Sequence, residues 1–207
     1  MSLAPSSSRM GVAERSRERV IVLIDNNSLF QAINRLGETK RLDYKKLKDW
    51  LIQQRTSVGV RFYCGEVRTD WDRRRQFYQV LQRAGFEVIK IFQSKSREGN
   101  AAFDTSNCER IDCEIAFDMC DNLEACDRVI LVSGSKGLSR VVAKVQDKGV
   151  AVEVVFFEGQ CSPDLLRGAT CFRNLCMDRL GLDYTKRSKR DHSFTPGVPS
   201  VKQRSFR

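Results

Sequence analysis

Short apolar runs alternate along this chain with segments whose apolar residues are spaced three or four apart. Continuous runs predict strands buried on both faces, and the spaced positions predict helices that bury one side. The predicted strands cover residues 20–24, 58–64, 86–92, 128–132 and 150–157, and the predicted helices cover residues 29–36, 43–54, 70–83, 109–123 and 138–148. A further short helix opens at Pro163. This alternation predicts an α/β fold with a doubly wound, mostly parallel five-stranded sheet and helices on both faces.

Two polar turns follow predicted strands, at residues 25–28 and at residues 133–137 (SGSKG). In doubly wound sheets, ligands bind at the carboxyl ends of strands, where the strand order reverses. Asp25 ends a buried strand, where a carboxylate needs a hydrogen bond, a counter-charge or a metal. It would equally serve as the cap of the next helix. The second turn presents N–H groups at a helix N-terminus, as anion sites do, and is also compatible with a plain strand-to-helix turn.

Asp112 and Asp118 are the two candidate site aspartates on the predicted helix at 109–123. Six residues separate them, so they lie about 120° apart around an ideal helix and do not share one face. Glu109 lies closer to the face of Asp112. Acidic residues in a first helical turn are also favoured by the helix dipole alone. Spacing by itself therefore does not decide whether Asp112 is a functional-site residue or only a favourable partner of the helix dipole. It gives weaker support to a site role for Asp118.

The net charge of +10 is concentrated at the ends of the chain. Residues 184–207 contain seven Lys and Arg residues against Asp191. We predict a disordered segment at 1–18, one domain at 19–180 and a basic disordered tail at 181–207. Basic tails attract polyanions such as RNA, although a tail that only improves solubility would have the same composition. No apolar run approaches the roughly 18 residues of a membrane span, so a membrane is not a predicted partner.

Eight cysteines occur without a C-x-x-C pair, and the one histidine is His192, near the C-terminus. Structural zinc sites use closely spaced ligand pairs, so this pattern argues against zinc. Several cysteines lie in apolar periodic segments, where a thiol behaves as a small buried hydrophobe. This usage predicts a reduced, cytoplasmic protein.

Three separated segments, in this order, resemble the NYN family of PIN-like metal-dependent ribonucleases. They are residues 21–30 (IVLIDNNSLF), 109–118 (ERIDCEIAFD) and 127–155 (DRVILVSGSKGLSRVVAKVQDKGVAVEVV), with a weaker match at 166–175 (LRGATCFRNL). The resemblance covers roughly residues 19–175. It implies a parallel sheet, an acidic cluster that binds Mg²⁺ or Mn²⁺, and hydrolysis of RNA phosphodiesters.

By position in these motifs, Asp25 resembles the family's first metal-binding aspartate, and Asn27 resembles the asparagine that often follows it. Asp112 and Asp118 match two aspartates of the central helix, so the resemblance implies a metal site of Asp25, Asp112 and Asp118. After the fourth strand the family usually has Ser-Gly-Asp-x-Asp-Phe, whereas residues 133–138 here are SGSKGL. Both aspartates are absent and Lys136 stands between their positions. This loss weakens the predicted site, because Mg²⁺ sites rely on carboxylates and phosphates.

Two functions of different classes fit these residues. The first is a metal-dependent endoribonuclease, with Mg²⁺ or Mn²⁺ as cofactor. Its catalytic residues would be Asp25, Asn27, Asp112 and Asp118. The second is a catalytically inactive RNA-binding or scaffold protein on the same fold. It would hold a phosphate with Ser133, Gly134, Ser135 and Lys136. The retained aspartates favour the nuclease and the altered loop favours the binding protein, and both allow a homodimer or a protein partner.

Overall fold

The computed structural model describes residues 17–36, 42–66, 71–92 and 105–176. The predicted disordered segment at 1–18, apart from its last two residues, lies outside these ranges. The predicted basic tail at 181–207 lies outside them entirely. The domain predicted at 19–180 is described for most of its length, including every segment that carries a candidate site residue.

Six strands form one parallel sheet. They are β1 (Arg19–Asp25), β2 (Thr56–Glu66), β3 (Glu87–Phe92), β4 (Arg128–Val132), β5 (Ala151–Phe156) and β6 (Cys171–Asn174). Their order is β3-β2-β1-β4-β5-β6, and every neighbouring pair is parallel. The predicted α/β fold is confirmed, with six strands rather than five. The pattern missed β6 because it has four residues, three of them exposed, and no apolar run.

Helices connect successive strands. They are α1 (Asn26–Leu36), α2 (Tyr44–Ile52), α3 (Trp71–Arg83), α4 (Thr105–Asp121), α5 (Ser139–Asp147) and α6 (Pro163–Gly168). Right-handed crossovers place α1, α2 and α3 on one face of the sheet and α4, α5 and α6 on the other. The contacts agree, because α5 packs against both α4 and α6. Within the described ranges, none of these helices has the length and apolar content that crossing a bilayer would require.

β1 lies near the centre of the sheet, and its residues 20–24 are at most 1% exposed. β2 and β4 flank it and helices cover both faces, so every position is apolar rather than every second one. On α4, Ile111, Ile115 and Met119 are all buried, as their spacing of four predicts. This core fixes the carboxyl end of β1 and the adjoining face of α4 relative to each other.

A buried ion-pair network holds the outer part of the sheet. Glu153 of β5 is 3% exposed and lies 3.1 Å from Arg55 Nη1 and 2.6 Å from Arg173 Nε. Arg173 of β6 also stacks on the Trp50 ring, 4.0 Å from its centroid, and donates to the carbonyl oxygens of Trp50 and Leu51. A buried carboxylate is stable only with such partners. These long-range contacts place β6, whose own sequence gives little strand signal.

Three of the cysteines, Cys64, Cys126 and Cys161, are buried. Burial raises the pKa of Cys64 to about 12 and that of Cys161 to about 11. A thiol with so high a pKa is protonated near neutral pH and is a poor nucleophile. These three residues therefore pack as small hydrophobes, as their apolar surroundings predict.

The strand order reverses between β1 and β4. From β1 the chain moves to β2 and then β3 on one side, and it later returns to β4 on the other side of β1. Asp25 is the last residue of β1, and Ser133 directly follows β4. The rule for doubly wound sheets therefore points to the space between these two strand ends.

Candidate functional site

Asp25 lies at the end of β1 and is 3% exposed. Its Oδ1 accepts a hydrogen bond from the Ser28 amide at 3.1 Å. Its Oδ2 accepts from the hydroxyls of Ser28 and Ser133, the latter at 2.9 Å. The Ser28 amide bond makes Asp25 the cap of α1, which was one of its two predicted roles. The bond from Ser133 is additional, because a helix cap does not require a link to β4.

Asp112 reaches the loop after β4 from α4. Its Oδ2 accepts a hydrogen bond from Ser135 Oγ at 2.6 Å. Gly137 faces the same carboxylate: a Cβ atom there would overlap Asp112 Oδ2 and lie 3.1 Å from Asp112 Cγ. The Asp112 carboxylate therefore occupies the space that a side chain at position 137 would fill.

Two serines link these carboxylates through a continuous set of hydrogen bonds. Ser133 Oγ donates to Asp25 and accepts from the Ser135 amide at 3.1 Å. Ser135 Oγ donates to Asp112 and accepts from the Gly137 amide at 3.2 Å. Ser133 is fully buried, so its hydroxyl has little access to water. We refer to Asp25 and Asp112 as the carboxylate pair, held by Ser133 and Ser135.

Gly134 determines how closely the loop approaches β5. A Cβ atom on it would lie 2.5 Å from Phe156 Cε1 and 2.7 Å from the Gln160 carbonyl oxygen. The Gly134 carbonyl accepts a hydrogen bond from the Ser162 amide at 3.1 Å. Only glycine permits so close a backbone approach. This contact anchors the loop that carries Ser133 and Ser135.

The pKa of the Asp112 carboxyl is raised to about 6. Burial is the main cause, because desolvation disfavours the charged form. The hydrogen bond from Ser135 lowers the pKa, while the negative charges of Asp25 and Glu109 raise it. Asp25 and Asp112 therefore repel each other when both are ionised.

Substitution of Asp112 by asparagine is expected to stabilise the metal-free protein at about pH 7.5. The folded pKa lies above the ordinary value of 3.8, so ionisation between about pH 4 and 6 destabilises the folded state. Two pKa units correspond to at most about 3 kcal/mol, and partial exposure reduces this to about 1 kcal/mol. The melting temperature should rise by about 2–4 °C near pH 7.5, and the difference from wild type should disappear as the pH falls below the ordinary pKa of 3.8. A lower melting temperature for Asp112→Asn at pH 7.5, in chelator, would contradict this account.

Asp118 has different partners from those that its predicted metal role requires. Its Oδ1 lies 2.8 Å from Arg61 Nη1, and its Oδ2 accepts a hydrogen bond from the Tyr63 hydroxyl. Arg61 also binds Glu87 at 3.0 Å. In the described ranges, no three His, Cys, Asp or Glu side chains converge as a metal-binding group. Asp118 thus serves as the acceptor of a polar cluster on β2, and the predicted three-aspartate cluster does not form.

Lys136 lies beside the carboxylate pair in sequence but pairs elsewhere. It is 79% exposed, and its Nζ lies 3.4 Å from Asp164 Oδ2 on α6, where Arg167 binds the other oxygen. The predicted phosphate grip by loop amides is also reduced, because the amides of Ser135 and Gly137 are already bonded to serine hydroxyls. A phosphate here would meet Lys136 only if that side chain left Asp164.

Sequence reasoning missed three contributors to this site. Ser28 donates two of the three hydrogen bonds that the Asp25 carboxylate accepts. Its position three residues after Asp25 is the spacing expected for a helix N-cap, and this spacing could have indicated it. Gly137 gives room to Asp112, and Asp164 holds Lys136. The last two depend on contacts between distant segments. The predicted Asn27 is the second residue of α1 and is half-buried.

The oxygen atoms of the carboxylate pair suit a hard divalent cation as ligands, but two carboxylates would bind it only weakly. Carboxylate and hydroxyl oxygens are the ligands that Mg²⁺ and Mn²⁺ prefer. Asp25 Oδ2 already accepts two hydrogen bonds, while its Oδ1 accepts one and retains acceptor capacity. Asp112 has its Oδ1 and part of its Oδ2 capacity left. Two carboxylates fit a Mg²⁺ or Mn²⁺ ion whose other ligands are water and substrate phosphate.

Comparisons with known proteins agree with this fold and with the family that the sequence resembles. The family model for the NYN domain matches residues 19–176. LabA, the low amplitude and bright protein of Synechococcus elongatus, is 27% identical over 156 residues, which are 73% of this chain and 80% of LabA. The crystal structure of VPA0982, a Vibrio parahaemolyticus protein of unknown function, aligns with a TM-score of 0.65 at 25% identity, over 79% of this chain and 96% of that one. This chain belongs to the NYN domain family.

Proposed function

We propose that this protein is a metal-dependent endoribonuclease whose metal is held by only two carboxylates, Asp25 and Asp112. The observation that carries the proposal is the carboxylate pair at the strand switch, where two aspartates from separate elements are linked through Ser133 and Ser135. The raised pKa of Asp112 supports it, because burial is the main cause and the negative charges of Asp25 and Glu109 add to it, so that a bound cation would favour the ionised carboxylate. Membership of the NYN family, a nuclease fold, supports the choice of RNA as substrate.

Mg²⁺ or Mn²⁺ bound by the pair would polarise the scissile phosphate and lower the pKa of an attacking water. Ser133 and Ser135 each donate a hydrogen bond to one carboxylate, and these bonds would orient the remaining lone pairs of Asp25 and Asp112 for a shared ion. Burial of Asp25 reduces competition from bulk water. Because the protein supplies only two carboxylates, the metal ion would take further ligands from the phosphates of the substrate. The affinity for the metal should therefore increase when RNA is present.

A catalytically inactive RNA-binding protein is the second candidate. A specific observation favours it: the hydroxyls of Ser28, Ser133 and Ser135 already satisfy much of the acceptor capacity of the pair. Arg61 and Tyr63 bind the third predicted aspartate, Asp118. Under this function the loop serves as a rigid part of the fold, and RNA binds without cleavage.

Cleavage of single-stranded RNA by the full chain, with Mn²⁺ or with chelator, separates these two functions. The nuclease is expected to release shorter products only in the presence of Mn²⁺ or Mg²⁺, and Ca²⁺ serves as a control for metal binding without efficient catalysis. RNA binding in chelator with no products at any Mn²⁺ concentration would overturn the nuclease and favour the binding protein. Cleavage that persists in chelator would contradict both.

A further inference from the structure

A line of exposed cations lies on α5 and at its two ends. It consists of Lys136, Arg140, Lys144 and Lys148, at intervals of four residues. Arg140 and Lys144 lie in α5, Lys136 lies in the short 3-10 turn before it, and Lys148 directly follows its last residue. All four are exposed, while the opposite side of α5 buries Val142 and Val145 in the core. Residues spaced by four on a helix form a slanted row on one side. We call these four residues the basic row.

Within the described ranges, three members of the basic row have no acidic partner. Lys136 shares Asp164 with Arg167, but in the described part of the chain no carboxylate forms an ion pair with Arg140, Lys144 or Lys148. Of the exposed α5 residues near the row, Asp147 is the one acidic side chain. The row therefore keeps a net positive charge that solvent counter-ions must balance.

The neighbouring helix has the opposite charge. α4, which packs against α5, exposes Glu109, Glu114 and Asp121 on its outer side. A polyanion that approaches this face of the molecule is repelled by α4 and attracted by α5. The difference in charge between α4 and α5 therefore favours a path along α5 for a flexible anionic strand that leaves the carboxylate pair.

The basic row is adjacent to the carboxylate pair and long enough for several phosphates. Lys136 follows Ser135, whose hydroxyl binds Asp112. From Lys136 to Lys148 the helical rise of about 1.5 Å per residue gives roughly 18 Å. That length corresponds to about five phosphates at the rise per strand of a duplex, and to fewer in an extended single strand.

We propose that the basic row binds the sugar-phosphate backbone of a single RNA strand and guides it to the carboxylate pair. The inference deepens the proposed function, because it assigns the path of the substrate beside the same site. Contacts from Lys and Arg to phosphate position a strand without reading its sequence. α5 exposes no aromatic side chain on which bases could stack, so the row recognises charge and spacing rather than bases.

Other anionic partners fit this surface less well. A helix that binds a lipid surface inserts an apolar side, whereas the apolar side of α5 is in the core. An acidic protein would be expected to meet a compact basic patch with apolar anchors at its centre. The row instead is narrow, extended and polar, which matches a single strand.

Removal of three cations from the row tests this path. The variant Arg140→Gln, Lys144→Gln, Lys148→Gln keeps Lys136 and alters only exposed positions. Its affinity for a fluorescent oligouridylate of about 15 nucleotides is measured in chelator over a range of KCl concentrations. Three lost phosphate contacts should reduce the slope of log K against log salt by about 2, since each contributes about 0.7 for single strands.

A matched control removes the same charge from the other face. Arg35→Gln, Arg75→Gln, Arg83→Gln changes three exposed arginines on α1 and α3. This variant has the same net charge as the row variant and should keep a slope close to that of wild type. Equal slopes for the two variants would overturn the row as the RNA path, because net charge alone would then explain the effect.

The binding and cleavage assays separate this inference from the proposed function. If wild type cleaves RNA with Mn²⁺ but the row variant binds like the control, the strand path is wrong and the nuclease stands. If only the row variant shows a reduced slope of log K against log salt, and wild type never cleaves RNA, the RNA path along the basic row is supported and the proposed nuclease activity is wrong. Binding of polyglutamate with the same row dependence and higher affinity than RNA would also overturn the path, in favour of an acidic protein partner.

Discussion

Replacement of Asp25 by asparagine is expected to lower Mn²⁺-dependent RNA cleavage by at least about 100-fold. Asp25 is one of two carboxylates in the pair, and loss even of groups behind metal ligands costs 10–100-fold in activity or metal affinity. The fold should be retained, because asparagine keeps one acceptor for the Ser28 amide and its NH₂ group can donate to the hydroxyls of Ser28 and Ser133. Initial rates with wild type and variant at saturating Mn²⁺ measure the effect.

Asp118→Asn is the matched control for this loss. The resemblance to the family implied a metal role for Asp118 as well as for Asp25, yet in the structure Asp118 binds Arg61 and Tyr63. The Asp118 variant should therefore cleave within a few-fold of wild type, and its main change should be lower thermal stability. A loss in the Asp118 variant as large as that in the Asp25 variant, with an unchanged melting temperature, would restore Asp118 to the site and contradict its structural role.

A methyl group at position 137 is expected to reduce cleavage by about 10–100-fold, because it displaces Asp112. The Cβ atom of Gly137→Ala would overlap Asp112 Oδ2, so the carboxylate must rotate and give up its hydrogen bond from Ser135. Hydrogen bonds to charged groups contribute about 1.5–3 kcal/mol, which the alanine variant loses in part. The backbone itself tolerates alanine, since Gly137 is not among the glycines with positive φ.

A double-mutant cycle isolates this contact. In an Asp112→Ala background the obstructing oxygen is gone, so Gly137→Ala should cost about 1–2 kcal/mol less in unfolding free energy than it does in wild type. Gly59→Ala is the control, because a Cβ atom there meets only Ile21 at 3.7 Å, an ordinary contact. If the cost of Gly137→Ala is the same in both backgrounds, Asp112 does not occupy the space beside Gly137.

The loop after β4 fixes the position of the Asp112 carboxylate. Gly137 leaves the volume into which that carboxylate fits. Ser135 supplies a hydroxyl donor to Asp112 and adds no negative charge. The loop thus contributes one hydrogen bond and an unfilled side-chain position to the surroundings of Asp112. The resemblance to the family implies aspartates at positions 135 and 137, and carboxylates there would add repulsion to a pair that already carries two like charges.

The amino-acid pattern by itself determined the fold class and the position of Asp25 at a strand end, whereas it left the role of Asp112 open. Apolar runs and helical spacing are local properties, so β1, β4 and the buried face of α4 could be predicted from them. The end of a central parallel strand then placed Asp25 at the strand switch. The four-residue β6 escaped this reasoning, because its position depends on Arg173, Glu153 and Trp50, which are distant in sequence.

Only the tertiary structure decided which polar groups are partners. Asp112 and Asp118 have similar sequence signals, but one meets Ser135 and Gly137, and the other meets Arg61 and Tyr63. Tyr63 lies 55 residues from Asp118, and no local pattern links the two. Hydrophobic periodicity is set along each element, whereas hydrogen bonds and ion pairs depend on distances of a few ångströms between elements that only folding brings together.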